Sequence, residues 1–363
     1  MAFQMSHSTK ENIGNNSDLH PDPDVQLRNL WQLNLTAYVI ILGISLVGNS
    51  LVIAVHAFSA QSNNTLKAAS NYFLVNMAVA DLIVIVFNMP IEIKTVSVGP
   101  LWLVSGTLGV ALCKCSIATW FTAVNASTST LAAIALDRFL LVFYPHKKII
   151  TKHAACVIIA LIWVAAFLFT LPLFAFSSLQ TGKKAELICD AKFDGIEEYC
   201  IVNFSIFIVT PLIAMTVLYS ALSVKLWLKK TVNQTSQSFQ RDLRMNRKIT
   251  AMLITIVLTF ALCWLPFWVG TIYCLTAYSK PTCLGHQFSF IARFLGFSNS
   301  ACNPCIYFSF SEGFRQGAKE MWKRFRCFCR TRTQVEASPA NHNAESALAE
   351  MGDTAAISGL NRG

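Results

Sequence analysis

Ionisable side chains are rare in the long apolar stretches of this chain, and they are the residues there that are most able to do chemistry. Asp81 lies deep inside one stretch, and Asp137 is followed directly by Arg138 at the end of another. A carboxylate at the centre of a membrane helix costs about 2.5–3.5 kcal/mol on insertion scales, so Asp81 would need hydrogen-bond partners or a counter-ion. The sequence shows no metal-ligand cluster, nucleophile constellation or phosphate-binding loop, and we expect no enzymatic activity.

Seven stretches of 20 or more residues, almost free of Lys and Arg, carry these side chains. The chain is 54% hydrophobic and only 13% charged, whereas a soluble domain is about one quarter charged. About 20 helical residues cross a hydrocarbon core, and a helix satisfies every backbone group within its own segment. The sequence therefore predicts an all-α membrane protein with spans at Leu35–Phe58, Tyr72–Ile91, Ser116–Leu136, Ala154–Leu179, Cys200–Val224, Ile249–Tyr278 and Gln287–Phe310.

The loops between these spans indicate the orientation of the chain. With the N-terminus outside, cytoplasmic segments hold 20 of the 29 Lys and Arg residues and the outer side holds 9. This asymmetry predicts an extracellular N-terminus and a cytoplasmic C-terminus. The positive charge then faces the membrane surface and does not indicate nucleic-acid binding. Residues 1–34 form a polar outer tail without the apolar core of a signal peptide, and Asn15 lies in a glycosylation sequon.

The segment after the last span has the pattern of an amphipathic helix. Within residues 311–326, basic residues alternate with an apolar face formed by Phe314, Ala318, Met321, Trp322 and Phe325. We expect this segment to lie on the inner leaflet as a short eighth helix, with the bilayer as its partner. Residues 327–363 have the composition of a flexible tail. Cys327 and Cys329, beside the basic helix, are candidates for palmitoylation; the alternative is two free thiols.

Seven spans alone also fit a transporter, a channel or a light-driven pump, and the discriminating residues are irregular ones within the helices. The chain has these residues, in order, across positions 36 to 325: Gly48-Asn49, Asn76 to Asp81, Asp137-Arg138-Phe139, Trp163, Pro211 with Tyr219, Phe260 to Pro266, and Asn299 to Tyr307. In this set the chain resembles the rhodopsin-like (class A) G-protein-coupled receptors. The resemblance implies a seven-helix bundle at the plasma membrane that activates heterotrimeric G proteins. It also implies arrestin and receptor kinases as further partners.

In that family an allosteric sodium ion is bound near the buried Asp of the second helix and favours the inactive state. The resemblance gives this ion the ligands Asp81, Ser127, Asn299, Ser300 and Asn303, with Asn49 beside them. The alternative is a protonated or merely hydrogen-bonded Asp81. No other cofactor is expected.

The same resemblance assigns the switch that receives the G protein. Asp137 is expected to hold Arg138 at rest, and Phe139 replaces the usual Tyr. Asn246 stands where some members have a Glu that binds this Arg, so we predict measurable basal signalling. Pro266 kinks the sixth helix two residues after Trp264. The remaining residues of the predicted switch are Pro211, Tyr219, Phe260, Asn303, Pro304 and Tyr307.

The resemblance also implies a disulfide from Cys113, at the start of the third helix, to Cys189 in the loop after the fourth. Cys274 and Cys283 flank a short outer loop, and the sequence leaves open whether they form a second bridge. Both pairs fall on the outer side, where disulfides persist.

Several positions limit the kind of ligand. Trp120 stands where amine receptors have an Asp, and Phe297 stands where opsins have the Lys that binds retinal, so both ligand classes are disfavoured. Glu92 and Arg293 lie near the outer cavity and either pair with each other or contact a ligand. The implied aromatic wall consists of Trp120, Phe121, Trp264, Phe267 and Trp268.

Longer stretches favour the peptide-binding branch of the family. Residues 71–76, 135–138 and 299–304 are similar to neuropeptide-Y/RF-amide, tachykinin, galanin and somatostatin receptors. We therefore expect a neuropeptide ligand with aromatic and basic side chains. The alternative is a lipid or small organic agonist. A transporter is more remote, because the chain has one acidic residue at depth and no repeat.

Overall fold

The computed structural model describes residues 23–59, 69–99, 101–145, 147, 149–181, 187–191, 195–231, 237–276 and 286–336. These residues form eight long helices and one hairpin. The first four helices are α1 (Pro23–Ser59), α2 (Ala69–Val98), α3 (Gly106–Phe143) and α4 (Lys152–Phe176). The hairpin consists of β1 (Ser177–Thr181) and β2 (Leu187–Ala191). Helix α5 has the parts Ile196–Phe204, Ser205–Val209 and Thr210–Thr231, and it is followed by α6 (Gln237–Thr276), α7 (His286–Phe310) and α8 (Glu312–Glu336).

Six of the described helices, α1 to α6, are long and apolar enough to cross a membrane by length and composition. Helix α7 has 25 residues and packs against α1, α2 and α6, which completes the bundle. Helix α3 contacts α2, α4 and α5. Large apolar side chains such as Tyr38, Ile85, Met89 and Phe297 form a buried core between α1, α2 and α7.

Several helix boundaries differ from the sequence prediction, and three of the differences have a clear physical reason. Helix α1 begins at Pro23, inside the predicted tail, because proline suits the first turn of a helix and no breaker follows before Leu35. Trp31 Nε1 donates to the carbonyl of Val96, 2.8 Å away, and fixes this extension to α2. Helix α4 ends at Phe176, since Ser177–Thr181 pairs as a strand.

Helix α8 is the third case and continues to Glu336, past the predicted end at residue 326. Residues 327–336 contain neither Gly nor Pro that would end a helix. The structure thus corrects the prediction that the flexible tail begins at residue 327. Trp322 and Phe325 are exposed and stack on one face of α8, with ring centroids 6.0 Å apart.

The hairpin lies over the start of α3. Its strands are antiparallel, and Leu179 pairs with Cys189. Cys189 forms a disulfide with Cys113, as predicted. The backbone N–H of Trp102 donates to the carbonyl of Leu187, 2.7 Å away, and holds the first connecting loop against β2. We call this end of the bundle the hairpin end, and the opposite end the Arg138 end.

For two further cysteines, Cys274 and Cys283, the sequence left a second bridge open. Cys274 is disulfide-bonded, whereas Cys283 lies outside the described residues, as does the predicted glycosylation site Asn15. Cys327 is exposed. The side chain of Cys329 is outside the described part of the chain.

Candidate functional site

A cavity of about 190 Å³ opens at the hairpin end between α2, α3, α6 and α7. Its aromatic side is built by Trp120, Phe121, Phe267 and Phe297. Its other lining residues are Asn88, Ile91, Glu92, Ser116, Ile117 and Arg293. A neighbouring cavity of about 250 Å³ shares Phe267 and Arg293 with it. The volume of the first cavity lies below the range of about 300–1,000 Å³ typical of small-molecule sites.

Five of the seven predicted ligand residues line this cavity, and the other two form a layer behind it. Trp264 is 3% exposed and lies 5.5 Å from Trp120 between ring centroids. Trp268 is 1% exposed and packs 5.7 Å from Phe267. Neither indole N–H has a hydrogen-bond partner among the described residues. Trp264 therefore lies in edge contact with Trp120, directly behind the cavity wall.

Glu92 and Arg293 form an ion pair across the cavity. Arg293 Nε lies 3.0 Å from Glu92 Oε1, although the angle does not qualify as a hydrogen bond. The Tyr38 hydroxyl donates to the same carboxylate oxygen at 3.4 Å. The Glu92 side chain is 11% exposed and that of Arg293 41% exposed. Of the two sequence alternatives, the structure has the paired one, and the Arg side of the pair is open to a ligand.

Asp81 is 3% exposed and is held by α7. Ser300 Oγ donates to one carboxylate oxygen and Asn303 Nδ2 to the other, both at 2.9 Å. Asn49 Nδ2 donates to the carbonyl of Ser300, also at 2.9 Å. Four oxygens of the predicted cluster are buried and lack a partner among the described residues: Ser127 Oγ, Asn49 Oδ1, Asn299 Oδ1 and Asn303 Oδ1. Oxygen donors around one carboxylate fit a hard monovalent cation.

At the Arg138 end Asp137 interacts electrostatically with Arg138, as expected, and also accepts a hydrogen bond from α2. The Ser70 hydroxyl donates to the Asp137 carboxylate in a short hydrogen bond. No ion pair within 4.0 Å joins Asp137 to Arg138, two residues that the structure describes. Consecutive helical residues point about 100° apart, so they do not face each other. Arg138 interacts electrostatically with Asp137 and, to a smaller extent, with Tyr219 of α5, and its Nε is buried without a hydrogen-bond partner in the described chain.

The predicted proline positions connect the two ends. Phe260 lies below Trp264, with ring centroids 6.2 Å apart, and is 1% exposed. Pro266 lies inside α6, where it removes one backbone hydrogen bond. Pro211 follows the π-helical turn Ser205–Val209, since its missing N–H favours a wider turn there. Pro304 is buried inside α7.

The remaining predicted switch residues lie near the Arg138 end. Tyr307 is fully buried, and its hydroxyl lies 3.6 Å from the sulfur of Met77. Phe139 stacks on Phe143 with ring centroids 4.2 Å apart.

Sequence reasoning missed two buried polar networks. Asn76 donates to Thr130 Oγ1 at 2.9 Å and accepts from Trp163 Nε1 at 2.8 Å, which joins α2, α3 and α4. Asn125 Nδ2 donates to Asn203 Oδ1 at 2.9 Å and joins α3 to α5. The available signal was an Asn within each apolar stretch, because buried amides in membrane helices need partners on neighbouring helices.

Six apolar helices and α7, with a cavity at one end and a half-buried Arg at the other, have the architecture of a multi-pass membrane receptor. Residues 48–307 match the family model described as 7 transmembrane receptor (rhodopsin family), and the chain belongs to this family. The match ends within α7, which is therefore the seventh span. The chain is a receptor and not an enzyme.

Similar proteins include receptors from several vertebrates. The substance-P receptor of Cavia porcellus is 28% identical over 332 residues, which cover 86% of this chain and 77% of the relative. The substance-P receptor of Homo sapiens has the same identity and coverage. The neuromedin-K receptor of Mus musculus is 29% identical over 299 residues, covering 81% of this chain and 63% of the relative.

Proposed function

We propose that this chain is a neuropeptide receptor that activates heterotrimeric G proteins from the plasma membrane. The relatives support a peptide ligand, because those named above are receptors for substance P and neuromedin K. The cavity carries the proposal. Two adjoining cavities of about 190 and 250 Å³ share Phe267 and Arg293, so a peptide can place a side chain in each of them. A peptide can insert its tip there while the rest of its chain contacts the hairpin end.

The walls favour an aromatic side chain and a charged group in that tip. Trp120, Phe121 and Phe267 offer ring faces and edges, and aromatic pairs contribute about 0.5–1.5 kcal/mol beyond burial. Arg293 is half-buried and can contact a carboxylate or carbonyl of the peptide while Glu92 retains Tyr38 as a partner. Conversely, a basic side chain can bind Glu92 in place of Arg293. These residues and the two buried tryptophans, Trp264 and Trp268, form the proposed ligand site.

Activation follows from the packing below the cavity. A ligand side chain that moves Trp120 also moves Trp264, and Trp264 lies on α6 two residues before Pro266. The missing hydrogen bond at Pro266 lets the lower part of α6 tilt outward. The tilt opens the Arg138 end for the G protein. We expect Arg138, Tyr219 and Tyr307 to line the opening.

The polar cluster around Asp81 is the proposed sodium site. Asp81, Ser127, Asn299, Ser300 and Asn303 would hold the ion, which supplies a positive charge to a buried carboxylate. The four partnerless oxygens of this cluster support this assignment. Ser300 and Asn303, both on α7, donate hydrogen bonds to Asp81. A rotation of α7 would therefore change which residues contact the ion. The ion then favours one state of the bundle by its difference in affinity for the two states.

The resting state is weakly held at the Arg138 end, so we expect basal signalling. Asp137 accepts a hydrogen bond from Ser70 and interacts with Arg138 without an ion pair within 4.0 Å, and Asn246 provides no carboxylate from α6. Lys248 of α6 does bind Glu312, at 2.6 Å, but both side chains are exposed. An exposed pair contributes at most about 1 kcal/mol against opening.

The orientation of the chain follows the charge asymmetry of its loops. We propose an extracellular hairpin end and a cytoplasmic Arg138 end, with Asn15 glycosylated outside and Cys327 and Cys329 palmitoylated inside. Arrestin and receptor kinases are proposed partners of the cytoplasmic face. Protease protection of the two termini in intact cells tests the orientation directly.

The experiment that tests the function is nucleotide exchange by the purified receptor in lipid vesicles. Exchange on G-protein α subunits is measured with a library of neuropeptides and, separately, of lipids and small organic compounds. We expect basal exchange above that of empty vesicles and a peptide that raises it further. Arg138→Ala serves as the control that removes coupling. Exchange at the level of empty vesicles with every agonist would contradict the proposal, and activation by a lipid alone would favour the alternative ligand class.

A further inference from the structure

Helices α5 and α6 diverge at the Arg138 end and leave two cavities between them. One cavity has about 350 Å³ and is lined by Trp227 and Arg247 among others. The other has about 280 Å³ and reaches Tyr219 and Leu258. Both are lined by Ser223 and Ile254, so the two cavities are contiguous. We call them together the α5–α6 groove.

The groove has a polar end and an apolar length. Arg247 and Thr250 lie at the polar end, and Ile254, Val257 and Leu258 follow it along α6. Arg247 Nη2 donates to the carbonyl of Leu226 at 3.0 Å, which uses one of the five guanidinium donors and orients the others. Both helices are membrane-spanning by length and composition. The groove therefore combines the positively charged Arg247 at one end with an apolar surface that can contact an acyl chain.

The groove is open to the surroundings of the bundle. Trp227 is 62% exposed and Leu258 is 58% exposed. Side chains of this size and exposure on a spanning helix contact lipid. Trp227 stands beside the cation, and Trp is enriched at the level of lipid headgroups. The polar end thus lies where headgroups lie, and the apolar length lies where acyl chains lie.

We propose that the α5–α6 groove binds one anionic glycerophospholipid of the cytoplasmic leaflet. Its phosphate contacts the Arg247 guanidinium, whose planar donors match phosphate oxygens. Its acyl chain lies along Ile254 and Val257. Charge complementarity selects an anionic lipid over a zwitterionic one, since each basic residue near the surface favours anionic lipid by roughly fivefold.

The lipid also couples to the switch, and this second part rests on the proposed function. Tyr219 lines the deeper cavity and interacts with Arg138. A lipid between α5 and α6 fits best when the two helices are apart. It therefore favours the state with α6 tilted outward, by its difference in affinity for the two states. We expect anionic lipid to raise basal nucleotide exchange.

Lipid retention by the purified full-length receptor tests the binding without any G protein. The receptor is mixed with phosphatidylserine and phosphatidylcholine of the same acyl chains, and bound lipids are counted by native mass spectrometry. We expect a preference for phosphatidylserine that Arg247→Gln lowers roughly fivefold. Arg241→Gln removes the same charge from α6 at an exposed position outside the groove and should retain the preference.

A second variant separates the groove from the charge. Ser223 is exposed and lines both cavities, so Ser223→Phe should block the groove without changing charge or a buried position. Retention of phosphatidylserine by Ser223→Phe at the wild-type level would overturn the site, as would equal binding of the two lipids by the wild type. Circular dichroism of each variant checks that it is folded. If the receptor binds phosphatidylserine but never catalyses nucleotide exchange, the lipid site stands and only the proposed receptor function is rejected.

Discussion

Substitution of Gly48 tests whether α1 and α7 must approach each other closely. A Cβ at this position would lie 2.6 Å from Pro304 Cγ and 2.9 Å from Pro304 Cβ. Both distances are far below van der Waals contact, and a proline ring within a helix cannot rotate away as a flexible side chain can. Gly48→Ala must therefore push α1 and α7 apart at the kink that the switch uses.

The cost can be estimated from overpacking. Extra atoms in a packed core typically destabilise by about 1–3 kcal/mol. For a domain of 150–250 residues each kcal/mol lowers the Tm by about 2–4 °C, so a cost near the middle of the range lowers it by roughly 4–8 °C. Thermal unfolding of the purified receptor, followed by circular dichroism, measures this shift. Gly43→Ala on the same helix is the matched control, because its Cβ would meet nothing within 4 Å.

A double-mutant cycle assigns the clash to its cause. Pro304→Ala removes the Cγ atom that the new methyl group would meet, so Gly48→Ala should cost less in that background. Contacting residues show coupling of about 0.5–3 kcal/mol, whereas independent residues add within about 0.3–0.5 kcal/mol. A Gly48→Ala receptor that melts like Gly43→Ala, or a cycle that is additive, would refute the steric argument.

Three further outcomes follow from the buried polar contacts. Asn76→Ala leaves the Trp163 N–H unpaired and removes the donor to Thr130, so it should destabilise by about 1–3 kcal/mol, more than Trp163→Phe does; equal melting of the two variants would count against the network. Arg293→Gln leaves the buried Glu92 without its cation and should lower the Tm more than Glu92→Gln does. Glu92→Gln should cost at most about 1 kcal/mol. A larger drop in Tm for Glu92→Gln would reject the pairing. Asp81→Asn should abolish the difference in basal exchange between sodium and a large organic cation, and an unchanged difference would exclude the ion site.

The spans were predictable because membrane insertion depends on local hydropathy. Hydropathy reports only the hydrocarbon thickness, so it misses the parts of helices beyond it. Helix α1 starts at Pro23 rather than Leu35, and α8 continues to Glu336. The β-hairpin was also missed, since its strands of five residues are too short to give a periodic signal. The disulfide to Cys189 came from family resemblance and not from spacing.

The candidate site was predictable in its residue types and less so in its pairings. Five of seven ligand residues line one cavity, because the family resemblance fixes which helix faces point inward. Whether Glu92 pairs with Arg293 depends on the rotation of α2 against α7, which local sequence does not encode. The contact between Asp137 and Ser70 is of the same kind, as it joins α2 to α3. Adjacent position in the sequence indicated the electrostatic interaction of Arg138 with Asp137, but not the hydrogen bond that Ser70 donates to this carboxylate.

Helix α6 must carry the signal, because it alone among the described helices connects the ligand cavity, the kink at Pro266 and the α5–α6 groove. Trp264 lies against Trp120 at the ligand cavity, and Phe260 lies one turn below it. Pro266 weakens the helix above both, while Ile254 borders the α5–α6 groove further down. A ligand that pushes Trp264 and a lipid that holds the lower part of α6 away from α5 favour the same movement. Each should therefore increase the apparent affinity for the other, since coupling between two sites is reciprocal.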